Sequence, residues 1–179
     1  MASQSRGSVV VGVSGSRGSL EALRVATREA RTSQRPLVVV LAWSSPGGEF
    51  AQRRASAPSL IKLCEREAKA RLARCFDEAM GGPPTDPVPL PFVVRGRPGP
   101  VLLEVADDCE DLLVVGAGER SWPGRLVHGA TARFCLGRAR CAILAVPPPP
   151  LLDALPRAAR HRVPYLFDEA ERDEPARSL

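Results

Sequence analysis

Five short, mostly apolar runs alternate along the chain with longer segments whose apolar residues recur every three or four positions. The runs occupy residues 8–13, 37–43, 90–95, 111–116 and 141–146. Residues 37–43 lack the polar alternation of a half-exposed strand, which predicts a strand buried on both faces of a parallel sheet. The segments between the runs have the spacing of amphipathic helices. This order, without a hairpin signal, predicts an α/β fold: an open five-stranded parallel sheet sandwiched by helices.

The ends of the predicted elements follow from capping residues and prolines. Ser19 is the predicted N-cap of the first helix, because its hydroxyl can accept a hydrogen bond from a free N–H of the first turn. The third strand is predicted at an edge of the sheet, since Pro89 and Pro91 have no N–H to donate. The last run is also expected at an edge, where unpaired N–H and C=O groups need a partner.

The amino-acid composition and the apolar pattern change at Pro147. We therefore expect a domain of residues 1–147 and a Pro-rich C-terminal extension of residues 148–179. Consecutive prolines cannot extend a sheet and favour a semi-rigid extended segment. Beyond them, apolar islands such as residues 165–167 stand among Arg and acidic residues. The pattern is consistent with a disordered extension and with one that docks on the domain or on a second subunit.

The amino-acid composition argues against two classes of partner, membranes and nucleic acids. The chain is 44% hydrophobic, enough for a packed core, but its apolar runs are far shorter than the roughly 20 residues of a membrane-spanning helix. Residues 1–8 are polar, unlike a signal peptide, so a cytoplasmic location is expected. The net charge of +5 rests almost entirely on scattered Arg, with 4% aromatic residues. Because base stacking needs aromatics along a basic groove, we expect no nucleic acid as a partner. Because the apolar runs are short, we expect no membrane as a partner either.

The five cysteines and the clustered acids do not predict a metal site. No two cysteines form a C-x-x-C pair, and the chain has two histidines, which leaves no zinc-binding spacing. We predict reduced thiols in the core. The acidic residues at 107–111 precede the fourth strand and so lie at its amino end, whereas ligands of open parallel sheets bind at the carboxyl ends. They are therefore predicted to form a solvated helix end.

Two glycine-bearing loops carry the candidate chemistry. One follows the first strand at residues 14–18, and the other follows the fourth strand at residues 116–129. Ligands of open parallel sheets bind outside the carboxyl ends of the strands, and glycine turns let backbone N–H groups approach an anion. The chain has no Walker A loop and no G-x-S-x-G elbow. We therefore expect no catalytic residue and no enzyme.

Residues 8–147 resemble the universal stress protein (UspA-type) family. The resemblance rests on the run of residues 9–16, on residues 114–131, on the turn at residues 95–98 and on residues 141–147. It implies a fold of this kind and a site for ATP or another adenine nucleotide. The residues that it places at the nucleotide are Ser14, Ala42, Gly116, Gly118, Gly129, Ala130 and Thr131.

The resemblance also shows departures from the ATP-binding branch of that family. Ser14 occupies the position of an acidic residue that ends the first strand. Glu119 stands at the second loop glycine, and Ala130 stands where a phosphate-binding hydroxyl is expected, one residue before Thr131. A carboxylate near phosphates and a missing charge-assisted hydrogen bond, typically worth about 1.5–3 kcal/mol, both disfavour ATP. Gly118, through a shift of register, and Arg120, through pairing with phosphate, are expected to compensate in part for this loss of ATP affinity.

Two functions follow from these observations. The first is a regulatory domain that acts through dimerisation and through an unknown protein partner, with weak or absent ATP binding. The alternative is a nucleotide-binding switch with slow or no hydrolysis. In the family, the fifth strand commonly pairs with its copy in a second subunit, which implies a homodimer. The residues implied at that interface are Ala142, Ile143, Leu144, Ala145 and Val146.

Overall fold

The computed structural model describes residues 7–44, 58–118 and 129–149. The strands in this part of the chain are β1 (Val9–Gly12), β2 (Leu37–Trp43), β3 (Pro89–Arg95), β4 (Leu112–Gly116) and β5 (Ala142–Val146). The helices are α1 (Arg17–Ser33), α2 (Pro58–Met80), α3 (Pro98–Val105) and α4 (Ala130–Leu136). Of the predicted C-terminal extension, only residues 148–149 are among the described residues. The division between domain and extension therefore stays a prediction.

The strands form one parallel sheet in the order β3-β2-β1-β4-β5. This confirms the predicted open parallel sheet, and it places both β3 and β5 at edges as expected. The order reverses between β1 and β4, because the chain adds β2 and β3 on one side of β1 and then β4 and β5 on the other. Such a reversal leaves a crevice at the carboxyl ends of the two central strands.

Two layers of helices cover the sheet, one on each face. Successive side chains of a strand point to opposite faces and so pack against different layers. Val9 and Val11 of β1 are fully buried with α1 and α2, whereas Val10 is fully buried on the opposite face with α3 and α4. Every residue of β2 except Ala42 is buried. The unbroken apolar run at 37–43 is therefore explained by burial on both faces, as predicted.

The first helix begins at Arg17, because its N-cap is Ser16, three residues before the predicted cap at Ser19. The Ser16 hydroxyl accepts a hydrogen bond from the Ser19 N–H at 3.3 Å, so the predicted N-cap at Ser19 is wrong. Ser19 lies in the first turn instead and is buried. Several serines close together make caps hard to distinguish from sequence, since each hydroxyl can accept from an N–H two or three residues further on.

The amino end of the sheet is held by a buried carboxylate. Asp111, 7% exposed, accepts hydrogen bonds from the Ser8 N–H at 2.6 Å and from the Asp108 N–H at 3.3 Å. Arg35 donates to the carbonyl oxygens of Gly7, Ser8 and Glu110 at the same place. The prediction of a solvated position is therefore wrong for Asp111, whose carboxylate is buried because it accepts main-chain N–H groups, whereas the other acidic residues of 107–111 are exposed as predicted.

The described cysteines are all free, but they do not all lie in the core. Cys75 and Cys135 are buried, Cys64 and Cys141 are half-buried, and Cys109 is exposed. The prediction of core thiols is therefore wrong for Cys109, which lies in the turn before β4. Burial raises the pKa of the Cys75 and Cys135 thiols, so both remain protonated near neutral pH.

Within residues 7–44, 58–118 and 129–149, none of the helices combines the length and the hydropathy that a membrane span requires.

Candidate functional site

The described residues of the two glycine-bearing loops (14–18, 116–118 and 129) meet at the carboxyl ends of β1 and β4, where they border a cavity of about 330 Å³. This volume is at the small end of the range typical of ligand sites. The described residues that line it are Gly12, Val13, Ser14, Ser16, Gly18, Ser19, Val40, Ala42, Pro98, Leu102, Val115, Gly116, Gly118, Gly129, Ala130 and Thr131. The chain thus has a crevice where the strand order reverses, as parallel α/β folds with ligands do.

All seven residues that the resemblance places at a nucleotide line this cavity. Ser14 comes from the loop after β1, Ala42 from the end of β2, and Gly116 and Gly118 from the end of β4 and its loop. Gly129, Ala130 and Thr131 come from the start of α4. The structure brings these residues together, while their binding of a nucleotide stays a prediction.

A network of serine hydroxyls forms the rim of the cavity at α1. The Ser14 hydroxyl oxygen lies 3.2 Å from the Ser16 Oγ and 3.3 Å from the Ser19 Oγ. The Ser14 N–H donates to the Ser19 Oγ at 3.1 Å, and the Ser19 hydroxyl donates to the Ser16 carbonyl at 2.8 Å. These bonds fix the backbone at Ser14 and present neutral hydroxyls where a carboxylate is expected in the ATP-binding branch.

Close backbone contact explains two of the loop glycines. A Cβ on Gly116 would lie 2.7 Å from the carbonyl carbon of Gly18, so the end of β4 touches the first turn of α1. Gly129 has a φ of +89°, and a Cβ there would lie 2.7 Å from the Ala117 carbonyl oxygen. Both positions therefore require glycine for the fold itself, whatever the cavity binds.

The start of α4 is the predicted phosphate side of the site. Gly129 is the N-cap and supplies no side chain to the N–H groups of the first turn. Ala130 has no hydroxyl, but Thr131 is half-buried and lines the cavity. The described lining therefore offers hydroxyls from Thr131 and from the serine rim, together with the backbone of the glycines.

The described lining is uncharged and largely apolar on its inner side. Val40, Leu102 and Val115 form that side, and Leu102 packs closely on Gly12. In the part of the chain that the structure describes, no group of three or more His, Cys, Asp or Glu side chains is arranged to hold a metal ion. Glu119, Arg120 and the other residues of 119–128 lie outside the described residues.

Sequence reasoning missed several lining residues. Pro98 and Leu102 come from α3, and Gly12 and Val40 come from strands. In the sequence, Pro98, Leu102 and Val40 look like ordinary structural positions. Only Gly12 gives a signal, since a glycine inside an apolar strand indicates a close contact. The contact is with the Leu102 side chain, 2.7 Å from an ideal Cβ.

The outer edge of β5 is the second candidate surface. The Ala117 N–H donates to the Val146 carbonyl at 2.7 Å, so the main chain of Val146 points towards β4. Alternate residues of a strand point the same way, which directs the N–H and C=O groups of Ile143 and Ala145 away from the sheet. Leu144 is 38% exposed, unlike the fully buried residues of the central strands.

The comparisons with known proteins identify the family. The model of the universal stress protein family matches residues 6–147. The chain therefore belongs to the universal stress protein family, as its resemblance implied. None of the curated proteins compared with the chain matches it significantly.

The solved structures that match the chain include several universal stress proteins. The protein UspA from Lactobacillus plantarum is 20% identical with a TM-score of 0.60, and the match covers 79% of this chain and 97% of that one. A universal stress protein solved in complex with cAMP is 30% identical with a TM-score of 0.49, covering 78% and 95%. One from Archaeoglobus fulgidus, solved in complex with dAMP, is 21% identical with a TM-score of 0.42, covering 80% and 99%.

Proposed function

We propose that this chain is a regulatory universal stress protein domain that forms a homodimer through β5 and binds a protein partner, with adenine nucleotide binding weak or absent. Stress response is the setting that the family name implies. The domain is proposed to act by association and not as an enzyme. The observation that carries this proposal is the difference between the two edges of the sheet.

At the β3 edge, prolines occupy the outward positions. The Gly96 N–H donates to the Trp43 carbonyl at 2.8 Å, which directs even-numbered residues of this segment towards β2 and odd-numbered residues outwards. Pro89 and Pro91 therefore fall at outward positions, where they remove two N–H donors. Prolines placed this way protect an edge from pairing with another strand.

At the β5 edge, the outward positions keep their N–H groups. Ile143 and Ala145 each offer one donor and one acceptor, and the exposed Leu144 lies between them. Antiparallel pairing of two copies about Leu144 would join Ile143 of each subunit to Ala145 of the other. A two-fold dimer of this kind pairs the free N–H and C=O groups of the β5 edge. Its symmetry leaves no second copy of the interface open for a further subunit.

Light scattering on Ala145→Pro tests the dimer. Proline at 145 removes an outward N–H without removing a bond to β4, so we expect the parent chain to be a dimer at tens of micromolar and the variant to dissociate more readily. Val93→Pro is the matched control, because Val93 also points outwards but at the β3 edge. A monomeric parent chain, or equal behaviour of the two variants, would contradict the proposal.

A nucleotide switch is the second candidate, and the cavity between the two loops favours it. Its seven predicted residues are assembled around one space, and the loop glycines keep the backbone close. Against tight binding of ATP, Ser14 and Ala130 lack the carboxylate and the hydroxyl of the ATP-binding branch. We therefore propose that any binding of ATP is weak.

Calorimetric titration separates the two candidates. ATP and cAMP, two adenine nucleotides that differ in the number and charge of their phosphates, are titrated to millimolar concentration. The regulatory proposal expects no heat or a millimolar dissociation constant for ATP. A micromolar constant would reject it in favour of the switch, whereas no binding and no thermal shift with either nucleotide would count against the switch.

A further inference from the structure

A second cavity lies on the β3 side of the domain, between α2 and the edge strand. We call it the α2–β3 groove. It has a volume of about 930 Å³. Its described lining is Glu65, Lys69, Leu72, Ala73, Phe76, Asp77, Pro83, Pro84, Thr85, Val88, Pro89, Pro91 and Val93. It shares no lining residue with the cavity between the two loops.

The groove is apolar along its floor and partly open to solvent. Leu72 and Phe76 are almost fully buried beneath it, while Val88 at its margin is 70% exposed. Exposed aliphatic side chains that are continuous with an apolar floor mark surfaces that bind other molecules. The groove therefore offers apolar area that the described part of the domain does not cover.

The main chain at the groove disfavours an added strand as its occupant. Of the outward positions of β3 that line the groove, Pro89 and Pro91 have no N–H to donate, and Val93 keeps one. An extended peptide laid along this edge would leave carbonyl groups opposite the prolines without partners, at a cost for each buried polar group. A helix satisfies its main chain internally, so it needs no donor from β3.

Charge at the rim adds a requirement on the partner. Glu65 is neutralised by Lys69, whose Nζ lies 2.7 Å from its carboxylate oxygen. Asp77, three turns further along α2, is exposed and forms no ion pair within the described residues. From Glu65 to Asp77 the helix rises roughly 18 Å at 1.5 Å per residue. A partner helix of about three turns fits this length, with a basic residue facing Asp77.

We propose that the α2–β3 groove binds an amphipathic helix of a partner protein, about three turns long, with a basic residue placed to pair with Asp77. This rests on the proposed function, because it names a surface for the partner that the regulatory domain requires. The groove lies at the opposite edge of the sheet from β5. A dimer joined through β5 therefore leaves both of its grooves open.

Selection from a random library of 14-residue peptides against the full chain tests this proposal. We expect enriched peptides with apolar residues at i, i+3 or i+4, and i+7, carrying Lys or Arg, and helical when bound. Val88→Lys and Asp77→Lys should each weaken binding by tenfold or more. Leu63→Lys is the control, since Leu63 is exposed on α2 but does not line the groove.

Each other outcome overturns the proposal. Enriched peptides with an apolar period of two, or rich in proline, would indicate an extended occupant. Peptides that bind Val88→Lys and Asp77→Lys as well as the parent chain would place the site elsewhere, and a library without binders would exclude a peptide-binding groove. Light scattering on Val88→Lys keeps this test separate from the dimer, because that variant should associate as the parent chain does.

Discussion

The Cα of Gly116 lies so close to Gly18 that a Cβ on Gly116 would be 2.7 Å from the Gly18 carbonyl carbon and 2.9 Å from its oxygen. The end of β4 and the first turn of α1 are thus in backbone contact. This contact sets the distance between the two loops that enclose the cavity, so the site depends on a packing constraint in the domain itself.

Gly116→Ala should destabilise the domain because the new methyl group meets backbone that cannot move aside. Overpacking of this kind costs about 1–3 kcal/mol in the free energy of unfolding. Urea denaturation measures it. Gly18→Ala is the control on the other side of the same contact, since a Cβ there would lie 3.8 Å from the Gly116 Cα, an ordinary distance. Equal stability of the two variants would contradict this account.

Asp111→Ala should also destabilise the domain, through the loss of an acceptor. The Ser8 N–H would lose its 2.6 Å bond just before β1. A fully buried unsatisfied donor costs about 1–3 kcal/mol, and the half-buried Ser8 N–H should fall at the low end of that range. Urea denaturation gives the free energy, and hydrogen exchange should show faster exchange at Ser8. Asp107→Ala, at an exposed position in the same acidic segment, should change neither quantity.

Much of the fold was predictable from sequence because each strand carries its own signal. Residues 37–43 are apolar without a break, and β2 is indeed buried on both faces. Pro89 and Pro91 predicted an edge strand, and β3 lies at an edge. These signals are local, since they depend on which side chains and N–H groups a strand can bury or pair.

The features that sequence did not predict depend on distances between elements. Ser16 and Ser19 are equivalent as caps until the helix start is known. Leu102 fits a core position in the sequence, yet it lines the cavity, because α3 crosses the end of β1. Leu72 and Phe76 likewise fit an ordinary helix stripe, and only the position of β3 reveals a groove above them.

Thiol reactivity should differ between Cys109 and the buried cysteines. Cys109 is exposed, whereas burial raises the pKa of the Cys75 thiol and lowers the fraction of reactive thiolate at any given pH. Labelling of the native chain with a maleimide near neutral pH, followed by mass spectrometry, should modify Cys109 first and leave Cys75 and Cys135 unmodified. The modification of Cys109 should appear as a fast phase of labelling, and Cys109→Ser should remove that phase. A fast phase that survives in this variant at Cys75 would show that the helix layer opens readily.

Ser14→Asp should raise the affinity for ATP in the presence of Mg²⁺. The Ser14 backbone is held by the Ser19 hydroxyl at 3.1 Å, so a carboxylate there would be presented at the rim of the cavity, at the acidic position of the ATP-binding branch. A charge-assisted hydrogen bond is worth about 1.5–3 kcal/mol, which corresponds to roughly tenfold to a hundredfold in affinity. Calorimetric titration with ATP, with and without EDTA, measures the change, and Ser14→Asn is the control because it matches the shape of Asp without its charge. If Ser14→Asn gained as much as Ser14→Asp, or if neither gained, weak ATP binding would have to be explained by other residues than Ser14.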